Sequence, residues 1–134
     1  MSGLITDLLD GQPVRIPDDA VDTRQWVHVD DHCRAVQLVL ERGRAGELYN
    51  VGSSTELTLR ELAERLVPLV RRTSPAVRGP GTGQPRERWA LDDRKIRTLG
   101  YRPLVDFDEG LTATVSWFAD NESWWRPRKD KAGA

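Results

Sequence analysis

The sequence predicts a small α/β protein with about three short strands. Two observations carry this reading. Short β-rich runs alternate with segments whose apolar residues recur at helical spacing, and several of those segments open on a side chain suited to capping a helix. A length of 134 residues suits a single domain. The predicted order is helix, strand, strand, helix, strand, helix, loop, helix, helix.

Residues 4–10 form the first helix, with Leu4, Ile5, Leu8 and Leu9 on one face and Gly11 free to take a left-handed stop. Val14–Ile16 reads as a short strand, and Arg24–Val29 as a second through the β character of Trp26, Val27 and Val29. Asp30 suits the N-cap of a helix from Asp31 to about Arg42. Its apolar positions are Ala35, Val36, Val39 and Leu40, and acidic residues sit at its positive end. Gly43 stops it, and Glu47–Val51 follows as a buried strand before the Gly52-Ser53-Ser54 turn. That strand has no evident partner within the chain, so something is expected at its edge.

Thr58 with Glu61 has the spacing of a capping box for a helix from Leu59 to about Arg71, carrying Leu62, Leu66, Val67 and Val70 inward. Thr73–Gln84 is rich in Pro and Gly, lacks periodicity and is predicted as loop. Asp92 caps a short helix ending near Gly100. Asp106 with Glu109 opens the last helix, with Leu111, Val115 and Phe118 inward. The stretch 126–134 is basic and poor in apolar residues, and is expected to fray.

Composition narrows the function classes. Twenty basic and 21 acidic residues leave a net charge of −1, so no field of one sign draws nucleic acid or an anionic membrane. The single cysteine, Cys33, excludes an internal disulfide and fits a reducing compartment. No apolar run approaches the roughly 20 residues of a membrane span. The N-terminal stretch MSGLITDLLDG has neither the basic region nor the long apolar core of a signal peptide. A soluble cytoplasmic protein is expected.

The run WVHVDDHCRAVQLVLERGRAGELYNVG (26–52) is the most informative segment. With LLDGQPV (8–14), Arg24-Gln25, ELTLRELAERL (56–66), WALDDRKIRTLGYRP (89–103) and DFDEGLTATVSWFADNESWW (106–125), it resembles, in colinear order, the C-terminal part of the extended short-chain dehydrogenase/reductases. The resemblance is strongest to dTDP-glucose 4,6-dehydratases, NAD-dependent lyases of deoxysugar biosynthesis. It implies that residues 1–125 form the small sugar-nucleotide-binding C-terminal lobe, with a strand and helix that pack on a Rossmann sheet, and that the Rossmann lobe itself is absent from this chain. No G-x-G-x-x-G turn cradles a pyrophosphate here, and Tyr49 and Tyr101 belong to no Tyr-x-x-x-Lys pair. The NAD-binding and catalytic residues of the family therefore cannot be carried onto this chain. By itself it is not expected to bind NAD or to act as a dehydratase.

Two substrate contacts follow from the resemblance. Arg24 matches the family arginine that grips the nucleotide diphosphate, a task suited to a guanidinium that meets two phosphate oxygens at once. Its bland alternative is a solvated arginine at a strand start. Asn50 matches the asparagine of the YN-x-G turn that contacts the nucleotide sugar, offering a donor and an acceptor. The alternative is a turn residue bonding its own backbone.

The departures from the family weigh on the other side. Where relatives carry Arg-Pro-Gly-His-Asp-Arg-Arg-Tyr, this chain has Thr82-Gly83-Gln84-Pro85-Arg86-Glu87-Arg88-Trp89. A second phosphate arginine is thereby lost, and Arg78 or Arg86 are its candidate substitutes. An aromatic-glycine pair after the first strand is replaced by Pro17-Asp18, and Asp18 and Asp19 bring charge that disfavours a phosphate.

Asp30, Asp31, His32 and Cys33 are adjacent, but successive residues at a helix start point apart and cannot readily converge on a metal. His28 reads as a packing residue, and Cys33 lacks the setting of a nucleophile. Of the five tryptophans, Trp124 and Trp125 are core candidates or anchors for a partner.

Three readings stay open at this level. One is a sugar-nucleotide lobe, binding a dTDP-sugar, that works with a separately encoded NAD-binding lobe. A second is a non-catalytic relic or an interaction module docking on an intact homologous enzyme. A third is part of another extended member of the superfamily, such as a nucleotide-sugar epimerase. An unpaired apolar strand also predicts self-association, as a homo-oligomer.

Overall fold

The structure, a computed structural model, describes residues 1–13, 15–17, 22–70, 77–79 and 88–132. Helix α1 (Ser2–Leu9) buries Ile5 and Leu8, and Gly11 takes φ 71° just past its end, as the sequence predicts. Strand β1 (Arg15–Pro17) pairs in parallel with β4 (Val77–Gly79), Ile16 opposite Arg78. The stretch 73–84, expected to be loop throughout, thus contributes a strand. Three residues are too few to show any period in sequence.

The central strand is β2 (Thr23–Gln25). It lies between β3 (Glu56–Thr58), antiparallel, and β5 (Arg88–Trp89), parallel. The expected strand 24–29 is therefore cut short at Gln25, because His28 already serves as the cap of helix α2 (Val29–Arg42). His28 Nδ1 accepts from the Asp30 amide at 3.3 Å. Asp30, expected as the cap, sits inside the first turn instead. On α2, Ala35 is buried and Val39 half-buried, whereas Val36 and Leu40 face solvent, contrary to the expected apolar face.

Glu47–Val51 forms no strand. Leu48 is 88% exposed, and its carbonyl accepts from Lys95 Nζ at 2.7 Å rather than from a neighbouring strand. Tyr49 and Val51 turn inward against a small core of Ala35, Ile96 and Tyr101. A strand requires a ladder partner, and side chains meet the polar groups here instead.

Helix α3 (Leu59–Leu66) opens on the predicted capping box. The Glu61 amide donates to Thr58 Oγ1, and the Thr58 amide to Glu61 Oε2 at 2.7 Å. It stops at Leu66 rather than near Arg71, and a 3-10 turn (Val67–Leu69) containing Pro68, which has no N–H to donate, follows.

Helix α4 (Arg94–Arg97) is a single turn followed by Gly100 at φ 102°. Asp106 caps α5 (Phe107–Asp120) by accepting from the Asp108 and Glu109 amides. The stretch 126–132, expected to fray, belongs to helix α6 (Glu122–Ala132). Arg126 and Lys129 both bond the Asp10 carboxylate at 2.6 Å, and the Trp125 indole donates to the Phe118 carbonyl. Charge pairing with α1 holds what composition alone suggested was loose.

The main core joins Ile5 and Leu8 of α1, Ile16, Leu62 and Leu66 of α3, Val70, and Leu111 and Val115 of α5. Among the described residues no helix is long and apolar enough to cross a membrane.

Candidate functional site

Arg24 and Asn50 both border the segment that leads from β5 into α4. Arg24 is the middle residue of β2 and stands in register with Trp89. Its neighbour Gln25 accepts from the Leu91 amide through Oε1 at 3.0 Å. Asn50 reaches the same segment from the other side, donating from Nδ2 to the Asp92 carbonyl at 3.2 Å. Residues 89–92 thus tie the two candidate contacts together.

Their immediate surroundings differ in charge. Arg24 is exposed, and among the described residues no carboxylate pairs with it. The arginines of β5 and α4 are committed. Arg88 grips Glu56 through two bonds of 2.8 and 2.6 Å, Arg94 pairs with Asp92, and Arg97 with Asp93. The hydrogen bond from the Arg94 side chain, aided by its backbone amide, lowers the Asp92 pKa to about 2. The bond from Arg88 likewise holds Glu56 below the usual carboxylate value. Among the described residues the Arg24 guanidinium has no salt-bridge partner to give up on meeting an anion, and the Asn50 side chain makes one described bond through Nδ2.

The turn carrying Asn50 is tightly confined. A Cβ on Gly52 would stand 3.1 Å from both Gln25 Oε1 and Asp93 Oδ2, so only glycine fits without displacement. The Gly52 carbonyl accepts from the Tyr101 hydroxyl at 3.0 Å. Burial, with the Asp93 charge beside it, raises the Tyr101 pKa, so the hydroxyl stays a donor. Reading of the sequence missed Gln25 and Tyr101. Only the adjacency of Gln25 to Arg24 pointed toward either of them.

The remaining candidates lie elsewhere. Arg78 belongs to β4, beside Ile16, and Arg86 falls outside the described residues, as do Asp18, Asp19, Thr82 and Pro85. His28 is a packing residue, its ring against Gly110 of α5. Asp31 turns inward while Asp30, His32 and Cys33 are exposed. A groove of about 1090 Å³ runs between Trp26–His28 and the Phe107–Trp117 face of α5, lined chiefly by apolar atoms.

Among the described residues no glycine-rich turn joins a strand to a helix in the way that cradles a dinucleotide pyrophosphate. Helix α2, which follows β2 after Trp26–His28, begins Val29-Asp30-Asp31. Its acidic first turn occupies the end that a pyrophosphate would need. The residues gathered here can hold and orient a polar anionic ligand.

Residues 1–52 match the NAD dependent epimerase/dehydratase family. A dTDP-glucose 4,6-dehydratase of Streptomyces niveus is 48% identical over 126 residues, covering 92% of this chain and 38% of that relative. The structure of a dTDP-glucose 4,6-dehydratase from Streptomyces venezuelae, solved with NAD bound, superposes with a TM-score of 0.84 at 43% identity, over 95% of this chain and 40% of that one. A UDP-glucose 4-epimerase from Thermotoga maritima, solved with UDP-glucose, gives 0.78 at 30% identity, over 89% and 38%. The chain spans about two fifths of the length of the relatives it matches.

Proposed function

We propose that this chain, which corresponds to part of an extended short-chain dehydrogenase/reductase of the dTDP-glucose 4,6-dehydratase type, provides a sugar-nucleotide-binding surface and not a complete catalytic centre. The observation that carries this reading is the exposed Arg24 guanidinium, unpaired with any carboxylate among the described residues, tied through Trp89–Asp92 to Asn50. Arg24 grips the diphosphate of a dTDP-sugar with its planar fork, and Asn50 contacts the nucleotide sugar through its amide. Arg78 or Arg86 supplies a second cation. The chemistry of dehydration, with NAD, belongs to residues outside the 134 of this sequence, on a nucleotide-binding lobe or an intact homologous enzyme in the cytoplasm.

The apolar residues at the surface support that division. Val36 and Leu40 of α2 and the neighbouring Leu48 are exposed, and they lie on the two segments that the family resemblance assigns to packing on a nucleotide-binding sheet. The same residues favour the second reading, a module that docks on a homologous enzyme or on a second copy of itself without binding a sugar nucleotide. The similarity to a UDP-glucose 4-epimerase supports the third reading, part of another extended member of the superfamily such as a nucleotide-sugar epimerase.

Amide spectra recorded during titration with dTDP-glucose decide between them. Shifts at Asn50, Gly52 and Trp89 that disappear in Arg24→Ala are the expected result. Losing charge-assisted bonds of about 1.5–3 kcal/mol weakens affinity by at least about tenfold. Well-dispersed spectra that ignore dTDP-glucose would refute the sugar-nucleotide reading and leave the docking module. Formation of a 4-keto-6-deoxy sugar by the purified chain with added NAD would overturn the statement that it is not competent alone.

A further inference from the structure

The Asn50 turn has almost no regular backbone support. Glu47–Val51 joins no sheet, and Asn50 itself is exposed. Its side chain has one described anchor, the bond to the Asp92 carbonyl. Two residues on, the chain passes beneath the surface, where the Gly52 carbonyl meets the hydroxyl of Tyr101 at 3.0 Å. Tyr101 is 5% exposed and packs with Ala35 and Ile96, and Tyr49 and Val51 of the turn lean on that same cluster. The ring is therefore held by packing, and the hydroxyl is the one polar group it presents to the turn. A buried carbonyl requires a donor, and this hydroxyl supplies it.

The segment that anchors the Asn50 side chain leads into the helix that packs on Tyr101. Asp92 and Asp93 precede α4, Ile96 of α4 touches the Tyr101 ring, and Gly52 is wedged between Asp93 and Gln25. Moving the Gly52 carbonyl would shift the turn relative to both Asp92 and Gln25. We propose that Tyr101 is a positioning residue for Asn50: its buried hydroxyl, holding the Gly52 carbonyl, fixes the turn that presents the Asn50 amide. Binding-site geometry depends on such outer bonds when the contacting side chain lies on irregular backbone. This inference rests on the sugar-nucleotide reading for its consequence, though not for its geometry.

The test compares the full chain with Tyr101→Phe and Ile96→Val by NMR. In the unsubstituted chain the Tyr101 hydroxyl proton exchanges slowly and shows a contact to the Gly52 α-protons. In Tyr101→Phe the Asn50 side-chain amide resonances move, and affinity for dTDP-glucose falls about three- to tenfold through loss of one neutral hydrogen bond. Ile96→Val loosens the same cluster without touching the carbonyl, so it lowers Tm and leaves Asn50 and the affinity unchanged. A purely structural role for Tyr101 would make the two variants alike, which would overturn the proposal. So would Asn50 resonances indifferent to Tyr101→Phe, or a Tyr101 hydroxyl in fast exchange. If the unsubstituted chain ignores dTDP-glucose, the sugar-nucleotide reading fails by itself, and the Asn50 resonances still decide whether Tyr101 positions that side chain.

Discussion

The carboxylate of Asp31 accepts a hydrogen bond from the main chain of Leu104, 73 residues away, at 2.9 Å. The Val105 amide donates to its other oxygen at 3.2 Å, and Arg34 completes the shell. With 1% of its surface exposed, Asp31 joins the first turn of α2 to the connection that leads into α5. Residues of both elements line the apolar groove, so one carboxylate ties two parts of that lining together.

Replacing Asp31 by Ala strands two main-chain donors and the Arg34 guanidinium. A loss of roughly 3 kcal/mol in unfolding free energy is expected. Asp31→Asn keeps one acceptor oxygen and should lose less. Urea unfolding of the two variants checks the order, and equal stability of Asp31→Ala and the parent chain would refute it.

Asn50→Asp exchanges an amide donor for a charge beside the proposed diphosphate site. The bond to the Asp92 carbonyl disappears, and like charges disfavour a phosphate ligand. Affinity for dTDP-glucose should fall at least about tenfold in low salt, and part of that loss should return at high ionic strength through screening. Calorimetry at two salt concentrations measures both. An affinity equal to that of the parent would remove Asn50 from the site.

Asp92 titrates near 2 because the Arg94 side chain and amide bond its carboxylate. Its folded pKa lies below the ordinary value of 3.8. Its contribution to stability is therefore present above pH 4 or so, and is lost as pH falls from there through about 2. In Arg94→Ala the side-chain bonds vanish, and the carboxyl resonance of Asp92 should titrate closer to 3.8. An unchanged midpoint would contradict the assignment.

Asp10 anchors α6. Burial alone would raise its pKa, but hydrogen bonds from Lys129 and Arg126 outweigh that and hold it low. Asp10→Asn should speed amide exchange along residues 126–132 and lower stability by about 1 kcal/mol, as for a partly exposed ion-pair cluster. Exchange rates confined to their parent values would show that α6 stands without the anchor.

Local features of this fold were legible in sequence because their causes are local. The Thr58–Glu61 box, the Asp106 cap and the Gly11 stop each depend on residues within four positions. The sheet was less legible. Its strands are two or three residues long, and β2 finds its partners some 30 and 65 positions away. Asp31 reads as one more acid at a helix start until Leu104 is seen to meet it. The same holds for the site. Family resemblance pointed to Arg24 and Asn50, whereas their connection through Trp89–Asp92 depends on the β2–β5 register, which no local pattern encodes.

The pairing of Arg24 with Trp89 has an optical consequence. Trp89 is 60% exposed and its Cα stands opposite that of Arg24, whereas Trp125 is buried and its N–H is bound to the Phe118 carbonyl. The two should emit at different wavelengths, Trp89 to the red in water and Trp125 to the blue. Trp117 and Trp124 are exposed too, and Trp124 belongs to α6, so a red-side change on ligand addition reports the anion site where it vanishes in Trp89→Phe. With that control, the chain's own fluorescence reads an event at the ligand site without any added label.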